Sequence, residues 1–195
     1  FSEQQWTQAQ TAYRRALEKP NAGNAAGQLY LCLVRGDKLA EAAAFASQWR
    51  KSHPRDADFV YLMADVTQGR GQLAEAAKLY AQAIELVPDH ALALNNLAML
   101  RLPTSPKDAL DLAKRAAKAA PYESAVLDTL AMAQAATDQV DEAVDTQTRA
   151  VQLSPEAPEL RLALAKLLVQ AGEKAKAKVE LDRLVGLGPA FRHQD

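Results

Sequence analysis

The sequence predicts an all-α fold, an α-solenoid of stacked antiparallel helix-turn-helix hairpins. Three observations predict it. Pro54, Pro88, Pro121, Pro155 and Pro189 are separated by 34, 33, 34 and 34 residues. Ala42, Ala76, Ala109, Ala143 and Ala177 keep the same intervals, and Ala9 extends them backwards by 33 residues. Inside each interval two runs of helical spacing are divided by a turn. A period on this scale marks a repeat architecture, in which each unit buries its apolar face only by stacking on its neighbours.

Taken in order, residues 1–20 hold a lone second helix with Trp6, Ala9, Tyr13 and Ala16 on one face, closed by Pro20. Hairpins follow at 22–54, 57–88, 91–121, 124–155 and 158–189, with a tail at 190–195, and all are read as one repeat domain. The unit at 57–88 has the clearest pattern. Val60, Met63, Ala64 and Thr67 recur at helical spacing, and Gly69-Arg70-Gly71 breaks the run. Leu73, Ala76, Ala77, Tyr80, Ala83 and Ile84 then resume it. Pro88 ends the unit, because proline cannot continue a helix and biases the residue before it away from helical geometry.

Two units depart from the pattern. The unit at 91–121 is one residue short in its turn, where Ser105 is expected to cap the next helix, Pro106 to occupy its first position and Asp108 to complete a capping box. The unit at 22–54 carries Gly27 in its first helix and Trp49 where other units have alanine. The chain opens with Phe-Ser-Glu rather than Met and part-way through a repeat, which is the expectation for a segment of a longer protein.

Composition narrows the function. Hydrophobic residues make up 49%, enough for a core, so disorder is excluded. Lys+Arg number 23 against 24 Asp+Glu, and no basic stripe stands out, which disfavours nucleic acid. Cys32 is the only cysteine, so neither an internal disulfide nor a thiolate cluster can form. It reads as a small buried residue. His53 and His90 neighbour repeat prolines and His193 lies in the tail; all three read as solvated histidines, with no ligand spacing among them. Asp141-Glu142 complement a helix N-terminus. Leu160–Val169, interrupted by Arg161 and Lys166, is too short to span a bilayer. No catalytic, metal or cofactor site is expected.

The run Gly71-Gln72-Leu73-Ala74-Glu75-Ala76, Tyr80, Ala83-Ile84-Glu85-Leu86, Pro88-Asp89 resembles the second helix of a tetratricopeptide repeat, and Leu94-Asn95-Asn96-Leu97-Ala98 resembles the first. Small residues fall at the close-packing positions: Ala64, Ala98, Ala131 and Ala165 in first helices, Ala83, Ala116 and Ala150 in second helices. The resemblance implies a right-handed superhelix that binds another protein or peptide in a concave groove lined by first helices. The groove residues it selects are Asp58, Tyr61 and Asp65; Asn95, Asn96 and Met99; Asp128 and Met132; Leu162 and Lys166. Met99 and Met132 either meet apolar anchors of a ligand or fill gaps between helices. Asp65 and Asp128 favour a peptide with apolar anchors and a basic residue. A chaperone-tail clamp is disfavoured, since its basic positions hold Tyr61, Ala125 and Thr129 and only Asn96 matches.

The final unit, with Ala165-Lys166-Leu167-Leu168, Gly172-Glu173-Lys174-Ala175-Lys176-Ala177, Leu184 and Phe191, is similar to the end of bacterial repeat lipoproteins of exosortase and exopolysaccharide systems. That similarity implies a periplasmic or outer-membrane-associated scaffold. The function expected is a non-catalytic protein-interaction scaffold. The alternatives are a homodimer formed through the lone N-terminal helix, if its apolar face is exposed, and a regulatory segment of a larger multidomain protein.

Overall fold

The structure is a computed structural model. It describes residues 3–17 and 24–186. Pro20, Pro189, Phe191, His193 and the expected tail at 190–195 lie outside the described residues. Among the described residues there are eleven α-helices and no strand: α1 (Glu3–Leu17), α2 (Ala25–Arg35), α3 (Leu39–Ser52), α4 (Ala57–Gly69), α5 (Leu73–Leu86), α6 (Ala91–Arg101), α7 (Pro106–Ala119), α8 (Ser124–Ala135), α9 (Val140–Leu153), α10 (Pro158–Gln170) and α11 (Lys174–Gly186). They form two compact units, one ending at Leu86 and holding α1–α5, the other beginning at Val87 and holding α6–α11.

The turn chemistry repeats as the helices do. Four first helices end in the same Schellman arrangement. The backbone N–H of Lys38, Gln72, Gln139 and Glu173 donates to the carbonyl of Leu33, Thr67, Gln134 and Leu168, respectively. The residue before each donor adopts a left-handed conformation: Asp37 (φ 56°), Gly71 (76°), Asp138 (63°) and Gly172 (81°). Aspartate tolerates this geometry better than most side chains, and glycine adopts it freely. The shortened turn after α6 has no residue of positive φ. Pro106 starts α7 as expected, but Ser105 makes no side-chain cap; its carbonyl accepts from the Ala109 N–H at 3.0 Å instead.

In the second unit the hairpins α6/α7, α8/α9 and α10/α11 stack tightly, α7 against α8 and α9 against α10. The alanines explain the closeness. Ala98, Ala131, Ala116 and Ala150 are each 0% exposed, as are the interval alanines Ala109 and Ala143. A methyl group at these positions sets the spacing between backbones. The last hairpin replaces one uncharged pair with charge: Arg161 and Glu180 stand in the register held by buried Leu127 and Thr146 in the hairpin before. Arg161 Nη1 lies 2.6 Å from Glu180 Oε2, and its Nη2 donates to the Pro155 carbonyl at 2.8 Å.

The first full hairpin of the first unit, α2/α3, follows another rule. Tyr30 occupies the register of Ala64 and Ala98, and Trp49 that of Ala83. Tyr30, Phe45 and Trp49 of this hairpin converge on Phe59 of α4, with ring centroids 5.6 Å, 6.1 Å and 6.1 Å away. The Trp49 indole N–H donates to Asp56 Oδ2 at 2.8 Å, while Asp56 Oδ1 caps α4 through the Phe59 N–H at 3.0 Å. The aromatic core therefore also fixes where the next helix starts. Gly27 leaves room for Leu62 of α4, whose methyl would sit 3.0 Å from a Cβ at position 27.

Two expectations need correction. The apolar face of α1 is not bare: Trp6, Ala9, Tyr13 and Ala16 are all half-buried because α2 packs along it, and Tyr13 and Leu17 join the core of Leu29, Leu33 and Phe59. His53 is exposed yet stacked on Trp49 at 3.6 Å. His90 is half-buried and caps α6, its Nδ1 accepting from the Ala93 N–H at 3.2 Å. His53 thus stays solvent-exposed as the sequence suggests, whereas His90 serves as a helix cap in place of a solvated side chain.

The two packing rules predict opposite sensitivities. Ala131→Leu is expected to destabilise by about 1–3 kcal/mol through overpacking. Phe59→Ala is expected to cost about 3–5 kcal/mol through a cavity. Urea denaturation measures both, and a loss below about 1 kcal/mol for Ala131→Leu would remove the close-approach argument.

Candidate functional site

The selected residues fall on first helices and are described unit by unit. In the second unit α8 lies against α6 on one side and α10 on the other. Asn95, Asp128 and Leu162 share one register position on these three helices, and Met99, Met132 and Lys166 share the position one turn later. Met99 and Met132 are 38% and 37% exposed, so part of each side chain is open to solvent. Lys166 is exposed, while Asn95, Asn96, Asp128 and Leu162 are half-buried. Asn95 Nδ2 donates to Asn96 Oδ1 at 3.2 Å, so these two amides constrain each other. In the first unit α4 carries Asp58 and Asp65, both exposed, and Tyr61, half-buried with its ring 5.8 Å from that of Tyr80.

Asp128 is the site's most constrained polar group. Gln147, which is 0% exposed on α9, donates from Nε2 to Asp128 Oδ1 at 2.7 Å and to the Leu160 carbonyl at 3.0 Å. Burial pushes the Asp128 carboxyl above the ordinary aspartate range; the Gln147 hydrogen bond opposes this, and nearby Glu159 adds to it. The carboxylate is thus positioned from behind by a second helix in a setting that favours a cation opposite it. Gln147 was not selected from the sequence. It occupies the register of Tyr80 and Ala113, both fully buried, so an amide at that core position was the available signal.

A second feature, also missed, lies in the first unit. Between α3 on one side and α4 and α5 on the other opens a cleft of about 720 Å³. Its floor includes Ala43, Ala46, Val60, Met63 and Val66, and its edge carries Arg50, Lys51, Arg70 and Glu85. Arg50 reaches across to α5, donating to Gln82 Oε1 at 2.8 Å. Of the two aromatic substitutions only Tyr30 lines the cleft. There α3 and α4 hardly touch through their backbones, unlike α7 and α8.

Among the described residues, no group of three or more His, Cys, Asp or Glu lies close enough to hold a metal ion. Cys32 is buried, and desolvation raises its thiol pKa with only partial opposition from Arg35, which disfavours the nucleophilic thiolate. No described helix is long and apolar enough to cross a membrane.

Residues 148–193 match the family profile described as tetratricopeptide repeat. No curated protein sequence matches the chain. Among solved structures, MamA (residues 41 to the end) from Desulfovibrio magneticus RS-1 is similar with a TM-score of 0.73 at 20% identity, covering 96% of this chain and 97% of that one. YrrB, described as a TPR protein with an unusual peptide-binding site, is similar with a TM-score of 0.72 at 17% identity, covering 93% and 94%. The fold is therefore the all-α hairpin-repeat fold of these proteins. Neither of these two names, nor that of the family profile, refers to an exosortase or exopolysaccharide system.

The raised Asp128 pKa makes a pH prediction. A carboxyl whose folded pKa exceeds its unfolded value contributes stability that is present at low pH and lost as pH rises through the folded pKa. Charged Asp128 is therefore a cost at neutral pH. Asp128→Asn, which still offers Gln147 an acceptor, is expected to unfold at higher temperature than the parent at pH 7. The gap should close below the ordinary aspartate pKa of about 3.9. Equal melting temperatures at pH 7 would remove this reading of Asp128.

Proposed function

We propose that this chain is a non-catalytic protein-interaction scaffold that binds a peptide or partner segment on its first-helix face. The observation that carries the proposal is Asp128, which Gln147 holds in place although its charge is disfavoured there. A half-exposed carboxylate held in orientation by a fully buried amide is preorganised to meet a cation. Its register neighbours give the rest of the recognition. Met99 and Met132 offer adaptable apolar contact, Leu162 a second apolar anchor point, and Asn95 and Asn96 amides suited to a peptide backbone. The ligand is a peptide with apolar anchors and a Lys or Arg that meets Asp128, with Lys166 excluding a second cation at the far end. Asp58, Tyr61 and Asp65 present an equivalent, more acidic face on α4 of the first unit.

The general support is the fold, shared with proteins among which one is described by its peptide-binding site. The similarity of the final unit to exosortase-associated lipoproteins supports a finer reading, a scaffold within a bacterial envelope or exopolysaccharide export assembly. Self-association through α1 has less in its favour, because the face bearing Trp6 and Tyr13 is half-buried against α2. A monomer at high concentration by light scattering would dismiss it.

Methionine-methyl NMR tests the main reading. A synthetic amphipathic peptide with leucines at helical spacing and lysines elsewhere is expected to shift the Met99 and Met132 methyl signals saturably. Asp128→Asn should weaken that binding on the order of tenfold, the loss typical of one close charge pair. Saturable binding that leaves both methionines unmoved would defeat the assignment.

A further inference from the structure

We infer that the cleft between α3 and α4/α5 in the first unit is a second docking site, specific for an acidic segment of a partner protein with apolar side chains to seat on its floor. It is independent of the first-helix face and has the opposite charge preference. Three observations lead to it. The cleft lies where α3 and α4 hardly touch through their backbones, unlike α7 and α8, and Tyr30, which lines it, stands where the repeat otherwise places alanine. Its floor is lined by the small and apolar side chains Ala43, Ala46, Val60, Met63 and Val66. A floor of that kind accepts apolar groups and gives no polar direction to a small ion.

The third observation is charge. Arg50, Lys51 and Arg70 lie along the edge, and Glu85 is the one acidic residue that lines it among the described residues. Cations near helix C-termini complement the helix dipole, and Arg50 and Lys51 do end α3. The dipole does not account for how few acids surround an apolar floor, nor for Arg70 just beyond the end of α4. Arg70 also lies close enough to Tyr30 to oppose the burial-driven rise of its hydroxyl pKa, which places positive potential at the inner wall as well as at the mouth. Charge of one sign around an apolar trough steers and orients an oppositely charged partner. A carboxylate-bearing segment with two or three apolar residues satisfies both features. A bare phosphate satisfies only the second.

The distribution of methionine makes the test direct. The chain has three. Met63 lines the cleft, whereas Met99 and Met132 lie in the second unit. The full chain with labelled methionine methyls is titrated with two amphipathic peptides, both with leucines at helical spacing, one with glutamates elsewhere and one with lysines. The glutamate peptide is expected to shift Met63 saturably and to leave Met99 and Met132 in place. Arg50→Glu combined with Lys51→Glu, both exposed, should weaken that binding on the order of tenfold, and raised salt should weaken it in the parent. Ala43→Trp, which fills the trough from an exposed position, should abolish the Met63 shift. The proposal is overturned if Met63 stays unmoved while the glutamate peptide binds, or if the lysine peptide moves it equally. It is also overturned if inorganic phosphate alone reproduces the shift, or if the Met63 signal moves with protein concentration alone, which would make the occupant a second copy. The lysine peptide's effect on Met99 and Met132 reports separately on the first-helix face.

Discussion

The methyl group of alanine is the constraint on which the second unit depends. At Ala98, Ala131, Ala116 and Ala150 the side chain is small enough for neighbouring helix backbones to meet, and each is fully buried. Close approach lets the flanking Leu127, Leu160 and Leu164 join one core across two hairpins. Because every hairpin uses the same contact, stability grows by nearest-neighbour addition. The long-range order of the array rests on a short-range distance.

The first unit shows what happens when that distance is changed. Tyr30 and Trp49 hold their helices apart, and the aromatic cluster around Phe59 supplies by area what the alanines supply by proximity. Asp56 ties the two schemes together, since its two carboxylate oxygens serve the indole and the cap of α4 at once. A spacing change that elsewhere would be a packing defect is here bridged by hydrogen bonds and leaves accessible space beside it. Both candidate binding regions lie at departures from the repeat register, Tyr30 in one unit and Asp128 with Gln147 in the other.

The fold was legible because its signals are local and repeated. Prolines, turn glycines and small residues recur in register, and the Schellman turns at Lys38, Gln72, Gln139 and Glu173 follow the same beat. The left-handed residues Asp37 and Asp138 were harder to read, because only Gly71 and Gly172 announce that geometry by residue type. The first-helix register of Asn95, Asp128 and Met132 could be projected from periodicity. Its support from behind could not, since the bond from Gln147 joins residues 19 apart on different helices. Trp49 was visible as an exception, but the cleft depends on how far α3 stands from α4 and α5, a distance that no spacing in the chain encodes. His90 as a cap was obscured for a similar reason. Its partner is a backbone N–H, which sequence does not distinguish.

The Arg161–Glu180 pair bears on how such a chain avoids confusing its own parts. Hairpins with interchangeable alanine contacts allow a first helix to pair with the wrong second helix, shifted by a whole repeat, a known failure of repeat arrays. At α10 that error meets a penalty. Pairing α10 with α9 in the manner of α8 would put Arg161 against Thr146, where no carboxylate waits for it. Burying an unmatched guanidinium costs about 3–5 kcal/mol, more than an alanine contact returns. The ion pair adds little to the stability of the correct structure, but it gives α10 and α11 an address that none of the other hairpins shares.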